Sequence, residues 1–325
     1  LVNIKDIAKQ AGVSISTVSY ALNGSQKVTP ETTAKILAIA KELNYTPNAA
    51  ARNLKRRETK IIGAFFAEYS GAFYGQLLKG MRRTLSQNGY DLIVCSGAQS
   101  QRFIPERMID GAIILDEAFS TDEILRYANL GHKLVVLDRE VNHPNITKVL
   151  LDNKNGSHLA IGYFEKQNFK NIYILSGPEG SYDTKQRLKG LLEALETRNH
   201  MNIEVMGGDF TKSAGEVAAK QLVESYSHPV AIFCLNDEMA IGMYNYLSKT
   251  EYRVGEHFHI IGFDNIEVSN YLKPRLTTID YSKEDWGAIA AGQLMRLLTN
   301  EPGEDQQIPV TLLEGKSVNK YNPSN

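Results

Sequence analysis

Long apolar runs, cysteine and metal-binding histidine patterns are all scarce in this chain, and each scarcity removes a class of function. No stretch approaches the roughly 18 apolar residues that a membrane-spanning helix needs, so no membrane partner is expected. The N-terminus lacks the apolar core of a secretory signal, although the chain starts at Leu1 rather than Met. The expected compartment is therefore the cytoplasm. Two cysteines occur, Cys95 and Cys234, each inside an apolar run. They suit a reducing compartment, and neither has metal-ligand spacing. Seven histidines are scattered without an HxH or HExxH arrangement. Neither a metal site nor a cofactor is indicated. A GxGxxG turn, a Lys-bearing phosphate loop and a nucleophile elbow are equally missing, so nothing argues for an enzyme.

What is present begins with size and charge. A length of 325 residues favours two or three domains. Residues 1–60 hold ten Lys/Arg against four Asp/Glu, while the remaining 265 hold 26 against 33. A basic head on an acidic body points to a polyanion as the partner of the head.

The head carries a matching pattern. Ile4, Ile7, Ala8 and Ala11 recur at the spacing of one buried helical face. Gly12 permits a sharp turn, and Ser14 is a candidate N-cap for a second helix. In that helix Val18 and Leu22 share a face with Ala21 beside them. The other face shows Ile15, Ser16, Thr17, Ser19 and Tyr20. It bears no charge that would keep it out of a groove. The pattern is a helix-turn-helix whose second helix can enter a DNA major groove. A third helix starts at Thr29-Pro30-Glu31, as N-cap, N1 proline and first-turn acid. Ile36, Ile39, Ala40 and Leu43 form its inward stripe.

Pro47 ends that helix, and the alanines after it favour about two further helical turns. Helices this short are marginal alone, so residues 47–59 read as a hinge that becomes helical when docked. A plain basic linker is the competing reading. From Lys60 onward, apolar runs alternate with amphipathic segments. Strands are expected at Ile61-Ile62-Gly63-Ala64-Phe65-Phe66, Tyr90 to Ser96, 112–115, 134–137 and 149–151, then at 172–175, 203–206, 230–233 and 259–263. Strands apolar on both faces and separated by helices indicate parallel sheets, here about five strands in each of two α/β subdomains.

Ligands of such sheets collect at the carboxyl ends of strands. The polar residues there are Tyr69-Ser70-Gly71, Asp138-Arg139, Ser176-Gly177-Pro178, Asp209-Phe210, Asn236-Asp237 and Asp264-Asn265. Acids, an amide, an arginine and aromatics suit a polyhydroxylated ligand. Singly, each has a plainer reading as a helix N-cap, Asp237 and Asn155 above all.

Over nearly its whole length the chain resembles the LacI/GalR family of bacterial transcription regulators. The most specific matches are residues 4–22, the hinge Pro47-Asn48-Ala49-Ala50-Ala51-Arg52-Asn53-Leu54, Asn236-Asp237-Glu238-Met239-Ala240-Ile241-Gly242, and Ile261-Gly262-Phe263-Asp264. The resemblance implies a small all-α helix-turn-helix headpiece (1–46), the hinge (47–59) and a periplasmic-binding-protein-like α/β core (60–325). That core would have an N-subdomain of about 60–152 and 282–309 and a C-subdomain of about 156–280 and 310–320. Three crossovers would join them, near 151–155, Tyr281 and Val310. A homodimer on a palindromic operator is also implied, with Leu54 wedged into the minor groove. The implied DNA contacts are Ile15, Ser16, Thr17, Tyr20, Gln26, Asn48, Ala51, Leu54 and Lys55. Many members have Arg at the position of Tyr20. Tyrosine cannot make arginine's paired contact to guanine, so a shifted operator sequence is expected.

For the cleft, the resemblance implies effector contacts at Phe73, Tyr74, Asp138, Arg139, Arg187, Phe210, Asn236, Asp237 and Asp264. Arg187, Asn236 and Asp264 would hold hydroxyls, and Phe210 would stack on the ring. Arg187 has an alternative reading as an ion-pair residue on a helix. One departure stands out. Where the family has a full helix, this chain has residues 97–109, and Pro105 limits helix there. The function implied is a repressor of carbohydrate-utilisation genes controlled by a small sugar-like effector. A regulator steered by a phosphorylated carrier-protein corepressor is the first rival. A sugar-binding transport protein is a more distant one, since it would not need residues 1–58.

Overall fold

The computed structural model describes residues 2–46, 58–67, 69 and 72–321. The hinge expectations, with Asn48, Ala51, Leu54 and Lys55, lie outside the described residues. The chain divides into two compact units, Leu1–Thr59 and Lys60–Asn325.

In the first unit, α1 (Ile4–Ala11), α2 (Ile15–Leu22) and α3 (Pro30–Glu42) surround a small core. A capping box starts α1: Asn3 accepts from the Lys5 amide while Asp6 accepts from the Asn3 amide. Gly12 closes the helix at φ 71°, left-handed backbone that a side chain would strain. Ser14 caps α2 through the Thr17 amide, and Thr29 caps α3 with Pro30 in the first turn. Ile7, Val18 and Ile36 are fully buried and meet at the centre. Each contributes about 1.5–3 kcal/mol relative to an exposed side chain.

The second unit is built of two lobes. The N lobe takes β1 (Ile61–Phe66), β2 (Asp91–Cys95), β3 (Gly111–Leu115), β4 (Lys133–Val136) and β5 (Ile146–Leu151). The C lobe takes β6 (Asn171–Leu175), β7 (Asn202–Met206), β8 (Val230–Cys234), β9 (Phe258–Phe263) and β10 (Thr277–Asp280). Two short strands, β11 (Gln306–Ile308) and β12 (Thr311–Leu313), then complete one sheet each. The orders are β11-β5-β4-β3-β1-β2 and β12-β10-β9-β8-β6-β7, the same path walked twice. All pairings between the named strands are parallel except β10 with β12, so both sheets are parallel-dominated, as expected. The chain thus passes between lobes after β5, after β10 and after β11.

Helices cover the sheets: α4 (Ala72–Gln87), α5 (Thr121–Asn129), α6 (Asn153–Lys166), α7 (Tyr182–Leu195), α8 (Lys212–Glu224), α9 (Asp237–Leu247) and α10 (Lys283–Leu298). Helices α4 and α10 approach so closely that a Cβ on Gly287 would lie 2.0 Å from the Leu77 carbonyl oxygen. That approach fixes the N-lobe side of the cleft, because α4 begins near Phe73 and α10 near Lys283. Trp286, buried beneath, donates from its indole to the Val149 carbonyl at 2.8 Å.

One segment carries the departure expected at Pro105, and one strand went unread in the sequence. Residues 97–109 form a 3-10 helix, Ala98–Phe103, followed by turns, and Ile104 and Ile109 plug the core in place of a helical stripe. Strand β10 escaped the sequence reading because its first residues are threonines. Both are buried, and each hydroxyl finds a partner from outside the strand. Thr278 donates to Asp237 at 2.6 Å, and Thr277 accepts from the Gly315 amide at 3.0 Å.

Candidate DNA-reading face and interlobe cleft

Helix α2 buries Val18 and Ala21 and leaves Ile15, Ser16 and Tyr20 exposed. Tyr20 carries Lys27 Nζ at 5.3 Å from its ring centroid, which sets a positive charge beside the phenol. Gln26 is exposed in the loop after α2. Thr17 differs: its hydroxyl shares a 2.8 Å hydrogen bond with the Ser14 hydroxyl, so it helps to close the turn. The face keeps hydroxyl, aliphatic and aromatic groups in solvent with no carboxylate among them.

In the core, the strand orders place the switch points beside β1 and β6, where ligands of open sheets gather. The C-lobe wall is organised around Arg187, buried on α7. Its Nε donates to Asn153 Oδ1 at 2.8 Å, and its Nη1 donates to the Leu235 carbonyl. The remaining nitrogen, Nη2, stands 3.9 Å from Asp183 Oδ2 and 3.8 Å from Asp264 Oδ1, beyond hydrogen-bond reach of both. The guanidinium lies 3.7 Å above the Phe263 ring and 5.9 Å from that of Phe210. Burial holds the Asp183 and Asp264 carboxyls above the usual range, and the charge of the arginine offsets this only in part.

Asp264 sits at φ 108°, a strained backbone position that the surroundings hold. Tyr281 donates to Asp264 Oδ1 at 2.7 Å, and Lys283, almost wholly buried, donates to the Asp264 carbonyl. Both belong to the β10–α10 crossover, so Asp264 is gripped by the segment that leads into the other lobe. Phe210, at φ 68°, is pinned by Asn236 Nδ2 donating to its carbonyl at 2.9 Å. Its ring fits over Gly177, where a Cβ would come within 2.3 Å of it. These contacts bring Arg187, Phe210, Asn236 and Asp264 into one network.

Asp138, Arg139 and Asp237 are occupied otherwise. Arg139 grips its own neighbour, with Nε and Nη2 at 2.7 and 3.0 Å from the Asp138 carboxylate oxygens. Its Nη1 and Nη2 also donate to the carbonyls of Phe119 and Asp116. The pair ties the loops after β3 and β4 together. Asp237 is fully buried: Oδ1 accepts from Thr278, and Oδ2 from the Ile266 amide at 3.0 Å. Burial and the nearby Asp264 charge push its pKa up to about 7. Phe73 and Tyr74, half-buried at the start of α4, pack edge to face, Phe73 on Trp286 and Tyr74 on Phe66. The N-cap reading of Asp237 and Asn155 is corrected: Asn236 and Asp152 are the caps.

Four residues of the network were missed in the sequence: Asn153, Asp183, Tyr281 and Lys283. Only Asp183 left a signal, as an acid one helical turn before Arg187. Tyr182 adds a bridge between lobes, donating to Glu140 Oε1 at 3.3 Å.

Comparison with known proteins settles the family. Residues 3–48 match the model of bacterial regulatory proteins of the lacI family, and residues 161–318 that of the periplasmic binding protein-like domain. The probable HTH-type transcriptional repressor ExuR of Bacillus subtilis is 33% identical over 318 residues, covering 95% of each chain. The chain belongs to the LacI family. Its fold is similar to the lac repressor dimer bound to operator and an anti-inducer, with TM-score 0.83, 26% identity and coverage of 98% of this chain and 99% of that one. A sugar-binding LacI-family regulator of Enterococcus faecalis is 46% identical, with TM-score 0.77, over 81% of this chain and 99% of that one. As a LacI-family member, this chain is a DNA-binding transcriptional regulator. Among the described residues, no helix is long and apolar enough to cross a membrane.

Proposed function

We propose that this LacI-family member is a cytoplasmic repressor whose paired headpieces read a palindromic operator, and that a sugar bound between the core lobes sets its affinity for DNA. The headpiece is taken as 1–46, the hinge as 47–59 and the core as 60–325, acting as a homodimer without any catalytic step. One observation supports this most. Arg187 offers a guanidinium nitrogen between two carboxylates, and one of those, Asp264, is held by the β10–α10 crossover. A hydroxyl bound there touches the lever that sets the angle between lobes. Such a change of angle would spread or close the two hinges, and the coupling must act equally in both directions.

The test is fluorescence anisotropy of operator DNA with and without sugar. Binding should change with the sugar for the native chain and lose its response in Asp264→Asn. Leu54→Ala should weaken the operator footprint by removing the wedge. An unaltered footprint in Leu54→Ala would rule out that role.

A further inference from the structure

The cleft has a charge pattern that narrows its ligand beyond the word sugar. Taking the cleft as the effector site, we propose that it selects an uncharged polyhydroxylated ligand and rejects the corresponding sugar acids and sugar phosphates.

The open donor is Arg187 Nη2, since Nε and Nη1 already serve Asn153 and Leu235. An oxygen bonded to Nη2 must sit beside Asp183 Oδ2 and Asp264 Oδ1, because each lies within 4 Å of that nitrogen. A hydroxyl meets both demands, accepting from the guanidinium and donating to a carboxylate. A carboxylate or phosphate monoester oxygen only accepts when ionised, so it has no proton to give to the two acidic side chains it would stand against.

Three other cations of the two lobes are already engaged. The nitrogens of Arg139 are spent on Asp138, Phe119 and Asp116. Lys283 is buried beneath the Asp264 carbonyl. Lys148, near the β5 crossover, lies 3.1 Å from both Glu140 and Asp305. Two helix N-termini of the C lobe also carry their own acids. Helix α7 is capped by Ser181 and carries Asp183 in its first turn, while α9 is capped by Asn236 and carries Asp237 and Glu238. Phe210 completes the selection with a ring face suited to the C–H surface of a neutral ring.

The experiment is calorimetric titration of the full chain at pH 7 with matched pairs: glucose and glucuronate, galactose and galacturonate, ribose and ribose 5-phosphate. The expected result is binding of at least one neutral member, with its anionic counterpart weaker by about a hundredfold. Asp183→Asn should narrow that ratio at least about tenfold, because the amide offers the anion a donor where the acid stood. An anionic member that binds as tightly as its neutral partner overturns the proposal and leaves the sugar-effector reading standing. An unchanged ratio in Asp183→Asn overturns the role given to Asp183. Should no member of any pair bind, the sugar-effector reading falls and the proposal falls with it.

Discussion

Each lobe brings one arginine and its acids toward the carboxyl ends of its strands, and the two arginines are used differently. In the N lobe, Arg139 closes on Asp138 and two backbone carbonyls, so its hydrogen-bonding capacity is consumed by the loops it joins. In the C lobe, Arg187 is anchored by two nitrogens, and its third stands between carboxylates at distances too long to bond. Residue type and neighbouring acids are alike. What separates them is whether a donor has been left over. The lobes also agree below this surface, since each locks a helix pair through close-approaching glycines. In the N lobe these are Gly80 and Gly287, and in the C lobe Gly215 and Gly242.

The largest expected effect tests that shared scaffold. Gly287→Ala and Gly242→Ala each drive a Cβ to within 2.0 Å of a backbone carbonyl. Each should cost about 3 kcal/mol in denaturant unfolding. Gly292→Ala, on the same helix as Gly287 but with open space around it, should be neutral or stabilising by up to about 1 kcal/mol. Equal losses at all three positions would show that helix packing is not what the glycines serve.

Next in size is the difference between the arginines. Arg187→Lys keeps the charge but cannot reach Asn153, Leu235 and the gap together. Sugar affinity should fall by at least tenfold, about 1.4 kcal/mol. Arg139→Lys should instead lower core stability by about 1.5–3 kcal/mol while affinity moves little. If calorimetry returns the opposite ranking, the comparison between lobes breaks.

A pH effect follows from Asp237. Its folded pKa, about 7, lies above the ordinary 3.8, so between those values the folded state holds more protons than the unfolded one. Stability from this group therefore falls as pH rises through that window. Asp237→Asn should flatten the pH dependence of the unfolding midpoint across the same window. An identical slope in the variant would assign the effect elsewhere. The smallest change is Tyr182→Phe, which removes the bond to Glu140 across the lobes. It should alter stability by about 0.5–1.5 kcal/mol and shift the sugar concentration at half-response. A response identical to that of the native chain would mean that the bridge plays no part in closure.

Much of this molecule was legible in residue order. Local chemistry wrote the headpiece: a 3.6-residue stripe, a glycine turn and hydroxyl caps specify α1, α2 and α3 with no distant partner required. The strands of the core were equally plain wherever both faces are apolar, as in β8 and β9. Strand β10 was not, because its threonines are satisfied only by Asp237 and Gly315, which are distant in the chain. The cleft was half legible. Arg187, Phe210, Asn236 and Asp264, all named from the sequence, meet in one network. Asn153, Tyr281 and Lys283 gained meaning only from partners far along the chain.

Sequence by itself determined the two units, the alternating α/β core and the exposed face of α2, because those depend on spacing and on neighbours a few residues away. Tertiary structure alone decided which arginine keeps a free donor and which lysine is buried beneath Asp264. Those outcomes depend on contacts between residues far apart in the chain, 48 positions in the case of Arg187 and Leu235. A side chain's remaining hydrogen-bonding capacity is a property of the packed site, and no spacing rule encodes it.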